Sequence, residues 1–427
     1  MGMGREGARG QGGGGQRLGE MGSQSAGSGV SAALEKPGYE KDAHKDGAPL
    51  PRNPLKVLLI GHQFQVPSEG QAKAAALSAF SDLAVHVLCP ERYREAEVRW
   101  RAALEPKSPR YQFRTTPVQN AWCGPAKWYL QWYPELKQRL LALKPDIVDL
   151  WEEPWNLLSA QVSRLCSRFL PDCRLISETE QNISKRLPPP FEWFRMQTLG
   201  RASYVVARNR EALAVTRGKG YAGPARVVGN GVDTRLFRPL DRALCRQGAG
   251  LHGFVVGYAG RLVEEKGLLS LLRAFRKLKG PRVLYLCGEG PLLEPMRREP
   301  FVKWAGAVPR EKLPWFYNAL DVLVLPSLTT ASWKEQFGRV LVEAQACGIP
   351  VLGSNSGAIP EVIGDAGIVF PENDDVAMLA ALDRLRLETG LRDLFSQAGR
   401  LQATRLYSWE AIAGQMREIY LQLPTVV

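Results

Sequence analysis

The stretch from Asp321 to Leu352 switches periodicity in a way that few folds accommodate. Asp321-Val322-Leu323-Val324-Leu325-Pro326-Ser327 is an apolar run closed by proline, which fits a strand buried on both faces of a parallel sheet. Phe337-Gly338 then opens an apolar helical pattern, and Gly348-Ile349-Pro350-Val351-Leu352 supplies another short apolar strand. The unit reads strand, loop, helix, strand. Repetition of such units implies a mostly parallel sheet with right-handed crossovers.

The unit does repeat. In the first half, strands are expected at Leu55–Gly61, Ala84–Cys89, Tyr111–Thr116, Pro145–Leu150, Arg174–Ser177 and Ser203–Ala207. Helices are expected near Trp132–Leu143, with Pro134 in the first turn, and near Pro190–Leu199. Asn230-Gly231-Val232-Asp233 and Phe237-Arg238-Pro239 read as a hinge. Beyond it come strands at Gly253–Ala259 and Val283–Cys287, helices at Leu268–Leu278 and Lys312–Leu320, and a strand and turn at Lys303–Pro309. The expected fold class is α/β, with two Rossmann-like doubly wound domains. Residues 55–230 form the first and 231–405 the second, and an amphipathic helix in 406–427 returns to the first. Residues 1–54 are rich in Gly, Ser and Gln and too polar to offset chain entropy; they read as a dispensable tail without the apolar core of a signal peptide.

Composition excludes some classes. No run approaches the ~20 apolar residues of a membrane span. The seven cysteines (89, 123, 166, 173, 245, 287 and 347) show no close pair of metal-ligand spacing, as expected of reduced core thiols in a cytosolic protein. Residues 57–233 carry 24 Lys and Arg against 17 Asp and Glu, the most basic part of a chain of net charge +13. Lys185, Arg186, Arg195, Arg201, Arg208, Arg210, Arg217 and Lys219 are strung through it. With no nucleic-acid-binding module present, the basic face implies either an anionic membrane surface or simple solubility, and no nucleic acid partner.

The chemistry concentrates in two loops. Glu335 and Glu343, with seven residues between them, straddle the expected helix start. Roughly 12 Å would separate them on a helix, too far to share a proton and suited to two hydroxyl-rich parts of one ligand. The backbone N–H groups of Gly338, Arg339 and Val340 would favour an anion at the helix mouth. Arg261 and Lys266, at the carboxyl end of the Gly253–Ala259 strand, pair a guanidinium fork with a point charge, a combination that suits a diphosphate.

Taken together, Gly260-Arg261-Leu262…Glu265-Lys266-Gly267, Asn230-Gly231-Val232-Asp233…Phe237, Gly288-Glu289-Gly290-Pro291, Glu335-x7-Glu343 and Gly348-Ile349-Pro350-Val351…Gly357…Glu361 resemble the signature segments of the family-four glycosyltransferases. The resemblance is dense from about 226 to 370 and diffuse from 55 to 225. It implies retaining enzymes of the GT-B fold, two Rossmann-like domains facing across a cleft. It also implies roles. Arg261 and Lys266 would neutralise the diphosphate of a UDP- or GDP-linked sugar, helped by backbone around Gly260 and Gly288 and by amides of Phe337, Gly338 and Arg339. Glu335 would hold hydroxyls of the transferred sugar, Glu343 the ribose, and Val308 and Arg310 the base. No Asp-x-Asp loop stands where a metal would be needed, so transfer is expected without metal or cofactor.

The first domain departs from the family pattern, which leaves the acceptor open. Only Gly70 matches the glycines usual after the first strand, and Trp151-Glu152-Glu153-Pro154-Trp155 stands where members often carry a histidine. Gly70, Glu153 (or Glu152) and Asn182 are the candidates for the acceptor side. His62 would either line the cleft or be an ordinary loop histidine. Trp122, Trp128, Trp132, Trp155 and Trp193 with the basic first domain favour a cell-envelope or lipid-linked glycan acceptor at the inner membrane face. A soluble acceptor, such as a sugar phosphate or secondary metabolite, and a non-catalytic nucleotide-sugar-binding scaffold are the alternatives.

Overall fold

The computed structural model describes residues 53–93, 101–107, 109–120 and 128–423. The expected tail up to residue 52, Trp122 and the side chain of Trp128 lie outside the described residues.

The first sheet has seven parallel strands: β1 (Leu55–Ile60), β2 (Leu83–Pro90), β3 (Gln112–Thr116), β4 (Ile147–Leu150), β5 (Arg174–Thr179), β6 (Tyr204–Ala207) and β7 (Ala225–Val227). Their order is β7-β6-β5-β4-β1-β2-β3. Alternation along β1 shows why both faces are covered. Val57 and Leu59 enter a core with Ala74, Leu77 and Met416, while Leu58 and Ile60 enter a separate one with Leu136, Leu140 and Leu158.

The second sheet has six parallel strands: β8 (Phe254–Ala259), β9 (Arg282–Cys287), β10 (Val302–Trp304), β11 (Val322–Leu325), β12 (Val351–Ser354) and β13 (Gly367–Phe370). They run in the order β10-β9-β8-β11-β12-β13. In each sheet the first strand is central and the strand order reverses beside it, which is where open α/β sheets take ligands. Register lines up the exits: Ile60 pairs with Leu88 and Leu150, Ala259 with Cys287, and Leu325 with Gly353. The loops beginning at Gly61, Trp151, Gly260, Gly288 and Pro326 therefore leave their sheets at the carboxyl ends.

Three local expectations change. Trp132 lies in a short antiparallel ribbon with Gln119, and the helix begins only at Leu136, past Pro134, which cannot donate to a helical ladder. The strands β7 and β13 were not expected; both lie at sheet edges and lack the continuous buried run that marks the inner strands. Arg208, counted with the basic face, is 2% exposed and paired inside the domain.

The chain crosses between domains twice, side by side. Val232 N donates to the Tyr407 carbonyl at 2.7 Å, and Val232 bridges Ser408 in parallel. Ser408 then caps the last helix, Trp409–Gln422, by accepting from Ala411 N at 3.1 Å. Its apolar stripe, Ile412, Met416, Ile419 and Tyr420, is buried in the first domain, and Arg417 reaches Asp82 there at 2.5 Å. The return of the C-terminal helix is thus observed. The six described cysteines are buried free thiols.

Candidate active site

The two domains meet through the loops at their sheets' carboxyl ends, and the Glu335 segment lies in that junction. Glu335 sits in the loop before the helix Arg339–Ala346 and is 8% exposed. Its Oε2 accepts from Lys266 Nζ at 2.7 Å and from Ser327 Oγ at 2.9 Å, while Ser327 is fixed in turn by Ser354 Oγ on its carbonyl. Lys266 also lies over the Trp333 ring, 4.4 Å from its centroid, a favourable cation–π placement. Lys266 and Glu335, expected to meet different parts of one ligand and separated by 69 positions, are thus in direct contact.

Arg261 lies in the same loop as Lys266, mostly exposed, with its Nη2 3.6 Å from Glu265. Tyr258 Oη donates to the Arg261 carbonyl at 2.8 Å, tying the loop back to β8. Gly260 and Gly288 bring two exit loops together. A Cβ on Gly288, whose φ is +123°, would lie 2.0 Å from the Gly260 carbonyl oxygen, so no other residue fits.

Gly338 takes the left-handed conformation at the start of the Arg339–Ala346 helix. The Phe337 ring turns into the core, edge-on to Tyr407 at 5.6 Å, so only its backbone belongs to the helix mouth. Glu343 is one turn further in and buried. Arg310 Nη1 and Tyr317 Oη donate to its two oxygens, each at 2.7 Å. Burial, with the Glu343 carboxylate beside it, pushes the Tyr317 phenol well above its usual range. Arg310 also lies over the Phe237 ring at 4.9 Å, and half-buried Val308 packs against the domain core. Glu335 and Glu343 thus have separate partner sets.

On the first-domain side, Gly70 opens the helix Gly70–Leu77 tightly against the preceding turn, where a Cβ would fall 2.5 Å from Phe64 Cα. Its neighbour Glu69 pairs with Arg339 across the junction. Glu153 accepts from Thr179 Oγ1 at 2.8 Å and Glu180 N at 2.7 Å, one bond to each oxygen, and so holds the turn after β5. Burial pushes its carboxyl up to about 7. Glu152 Oε1 accepts from His62 N at 2.9 Å and lies 2.6 Å from His62 Nδ1; the imidazole stacks on Tyr93 at 4.0 Å. Asn182 Nδ2 donates to the Glu335 carbonyl at 2.9 Å, from the opposite domain.

One cluster was not anticipated. Lys73 and Arg208 are buried among Asp149 and Glu178: Lys73 contacts both carboxylates, Arg208 contacts Glu178, and Tyr420 of the last helix donates to Asp149 at 2.6 Å. Both cations lie against the Trp151 ring, at 5.3 and 4.3 Å. Burial lowers the Lys73 ammonium to about 8 and Arg208 to about 10. Asp149 inside the apolar strand Ile147-Val148-Asp149-Leu150 was the available signal, since such a carboxylate needs a buried counter-charge.

Two doubly wound parallel sheets joined by a double crossing, with a returning C-terminal helix, are the GT-B architecture. The chain superposes on HepE from Anabaena, crystallised with UDP and glucose, with a TM-score of 0.63 at 16% identity, over 86% of this chain and 100% of that one. Residues 247–402 match the family described as glycosyl transferases group 1. A D-inositol 3-phosphate glycosyltransferase of Corynebacterium jeikeium is 28% identical over 65% of this chain and 68% of its own length. O-antigen chain mannosyltransferase B of Escherichia coli is 33% identical over 38% of this chain, and less than half (44%) of that protein is spanned.

Proposed function

We propose that this chain transfers a sugar from a nucleotide-diphosphate donor to an acceptor hydroxyl with retention of anomeric configuration and without a divalent cation. The carrying observation is the convergence of Lys266 and Ser327 on one oxygen of Glu335, beside the Arg261 loop and at the mouth of the Arg339 helix. In this reading the anomeric carbon–oxygen bond to the diphosphate breaks while the acceptor oxygen bonds the same face, and the acceptor's proton passes to the leaving diphosphate. Arg261 and Lys266 balance the growing phosphate charge, which lowers the barrier most where donors are already in place. Glu335 Oε1, which has no protein partner among the described residues, is left for a sugar hydroxyl. Glu343, with Arg310 and Tyr317, shapes the ribose and base side. The UDP and glucose held by the structurally similar HepE support a UDP-sugar as donor.

The acceptor favoured is a cell-envelope or lipid-linked glycan. The helix Phe191–Arg201 presents exposed Trp193 and Met196 close in sequence to Lys185 and Arg186, a combination that suits an anionic membrane surface. The relative named O-antigen chain mannosyltransferase B supports a glycan chain as acceptor. None of the described helices is long and apolar enough to cross a membrane. A sugar phosphate is the second reading, favoured by the relatives that act on D-inositol 3-phosphate. Calorimetric titration with UDP, GDP and ADP in excess EDTA tests the donor half: binding of one supports it, and binding of none by folded protein refutes it. Pelleting with vesicles rich in anionic lipid separates the two acceptors.

A further inference from the structure

We infer that Asn182 and Asn209 of the first domain are positioning residues for the Glu335 peptide of the second, so that the donor site takes its working geometry only when the domains are together. This rests on the assignment of Glu335 to the sugar. The Glu335 carbonyl accepts one bond from each domain: from Ala358 N of its own at 3.0 Å, and from Asn182 Nδ2 of the other at 2.9 Å. Its own-domain side is tightly built. A Cβ on Gly357, at φ +53°, would fall 2.0 Å from that oxygen. The next carbonyl, Gln336, accepts from Asn209 Nδ2 at 2.6 Å. Two consecutive peptides, the first of them leading directly out of Glu335, are thus held by amides from the other domain.

Asn209 does two jobs with one side chain. Its Oδ1 accepts from Ala212 N at 2.7 Å and caps the helix Arg210–Gly218, while its Nδ2 reaches across the junction. Asp and Ser cap helices about as well as Asn, and neither can make both contacts in this way. Asp has no donor, and would set a carboxylate against the Gln336 carbonyl. The hydroxyl of Ser is shorter by one atom. A cap alone therefore does not require Asn here; reaching Gln336 does. Other contacts bring the same faces together: Lys334 pairs with Glu211 at 2.8 Å, and Arg210 N donates to Glu361 at 2.9 Å. These flank the two amides without touching the Glu335–Gln336 peptides.

The test uses the full chain with Asn209→Asp, Asn209→Ser and Asn182→Ala, beside Glu335→Gln. The probes are UDP and GDP for binding, and UDP-glucose and GDP-mannose for hydrolysis. Expected for the Asn209 variants is a melting temperature within about 2 °C of wild type, since the cap survives. Nucleotide affinity should stay within about twofold, while kcat falls about tenfold to a hundredfold, as misplacement of a reacting group does. Amide exchange over Gln336–Gly338 should quicken, with Asn182→Ala acting in the same direction. Wild-type kcat and exchange in Asn209→Asp, with Glu335→Gln inactive, would overturn this inference alone. Normal turnover by Glu335→Gln would instead overturn the assignment of the site.

Discussion

Lys266 Nζ sits 2.7 Å from Glu335 Oε2, joining the loop after β8 to the loop after β11. The cation expected to meet phosphate and the carboxylate expected to meet sugar are thus set against each other by neighbouring strands of one sheet. Glu335→Gln keeps the shape and removes the charge. Turnover should fall at least about a hundredfold, while nucleoside diphosphate affinity changes less than about threefold, because the interaction matters chiefly at the reacting sugar. Calorimetry and steady-state rates on one preparation check both halves.

Arg261→Ala should act on the other quantity. Charge-assisted hydrogen bonds are worth about 1.5–3 kcal/mol, so nucleoside diphosphate binding should weaken roughly tenfold to 150-fold. The melting temperature should barely move, since the side chain is mostly exposed and its contact with Glu265 spans 3.6 Å. Equal affinity in wild type and variant would remove Arg261 from the site.

The second domain was legible because its signals are local. A loop with both Arg261 and Lys266, and a helix start with Glu335 and Glu343 either side, can be read from short windows. The first domain hid its chemistry in long-range pairs. Lys73 meets Asp149 from 76 positions away and Glu178 from 105, and nothing in the alanine-rich helix around Lys73 announces a buried ammonium. Glu153 was readable as a polar residue after a strand, but its bonds to Thr179 and Glu180 depend on a neighbouring strand's exit. Asn209 passed unnoticed because its partner, the Gln336 carbonyl, lies 127 positions away and no short window shows the pair.

Lys73→Met should expose what the buried cluster holds together. Removing one member of a fully buried charge set leaves Asp149 and Glu178 short of a counter-charge, at a cost of about 3–5 kcal/mol. Because Tyr420 also bonds Asp149, the last helix should loosen with it. Denaturant unfolding reads the first effect and amide exchange over Trp409–Gln422 the second.

Glu153 gives the protein a predicted pH dependence. Burial raises its carboxyl from an ordinary value of 4.5 to about 7, so the folded state holds the proton more tightly than the unfolded chain. The stability this brings is complete below 4.5 and is lost as pH rises through about 7. Glu153→Gln mimics the protonated form at every pH. Relative to wild type, its melting temperature should therefore climb between pH 5 and 7.5; a constant difference would refute the assignment.

The paired crossings at Val232 and Tyr407–Ser408 have a kinematic consequence. A single tether would let one domain swivel as well as swing. Two adjacent tethers, tied by a bond of 2.7 Å, act as an axle and suppress the swivel. A swing of one domain against the other would then have nearly one degree of freedom, and would return the same amides to the same carbonyls.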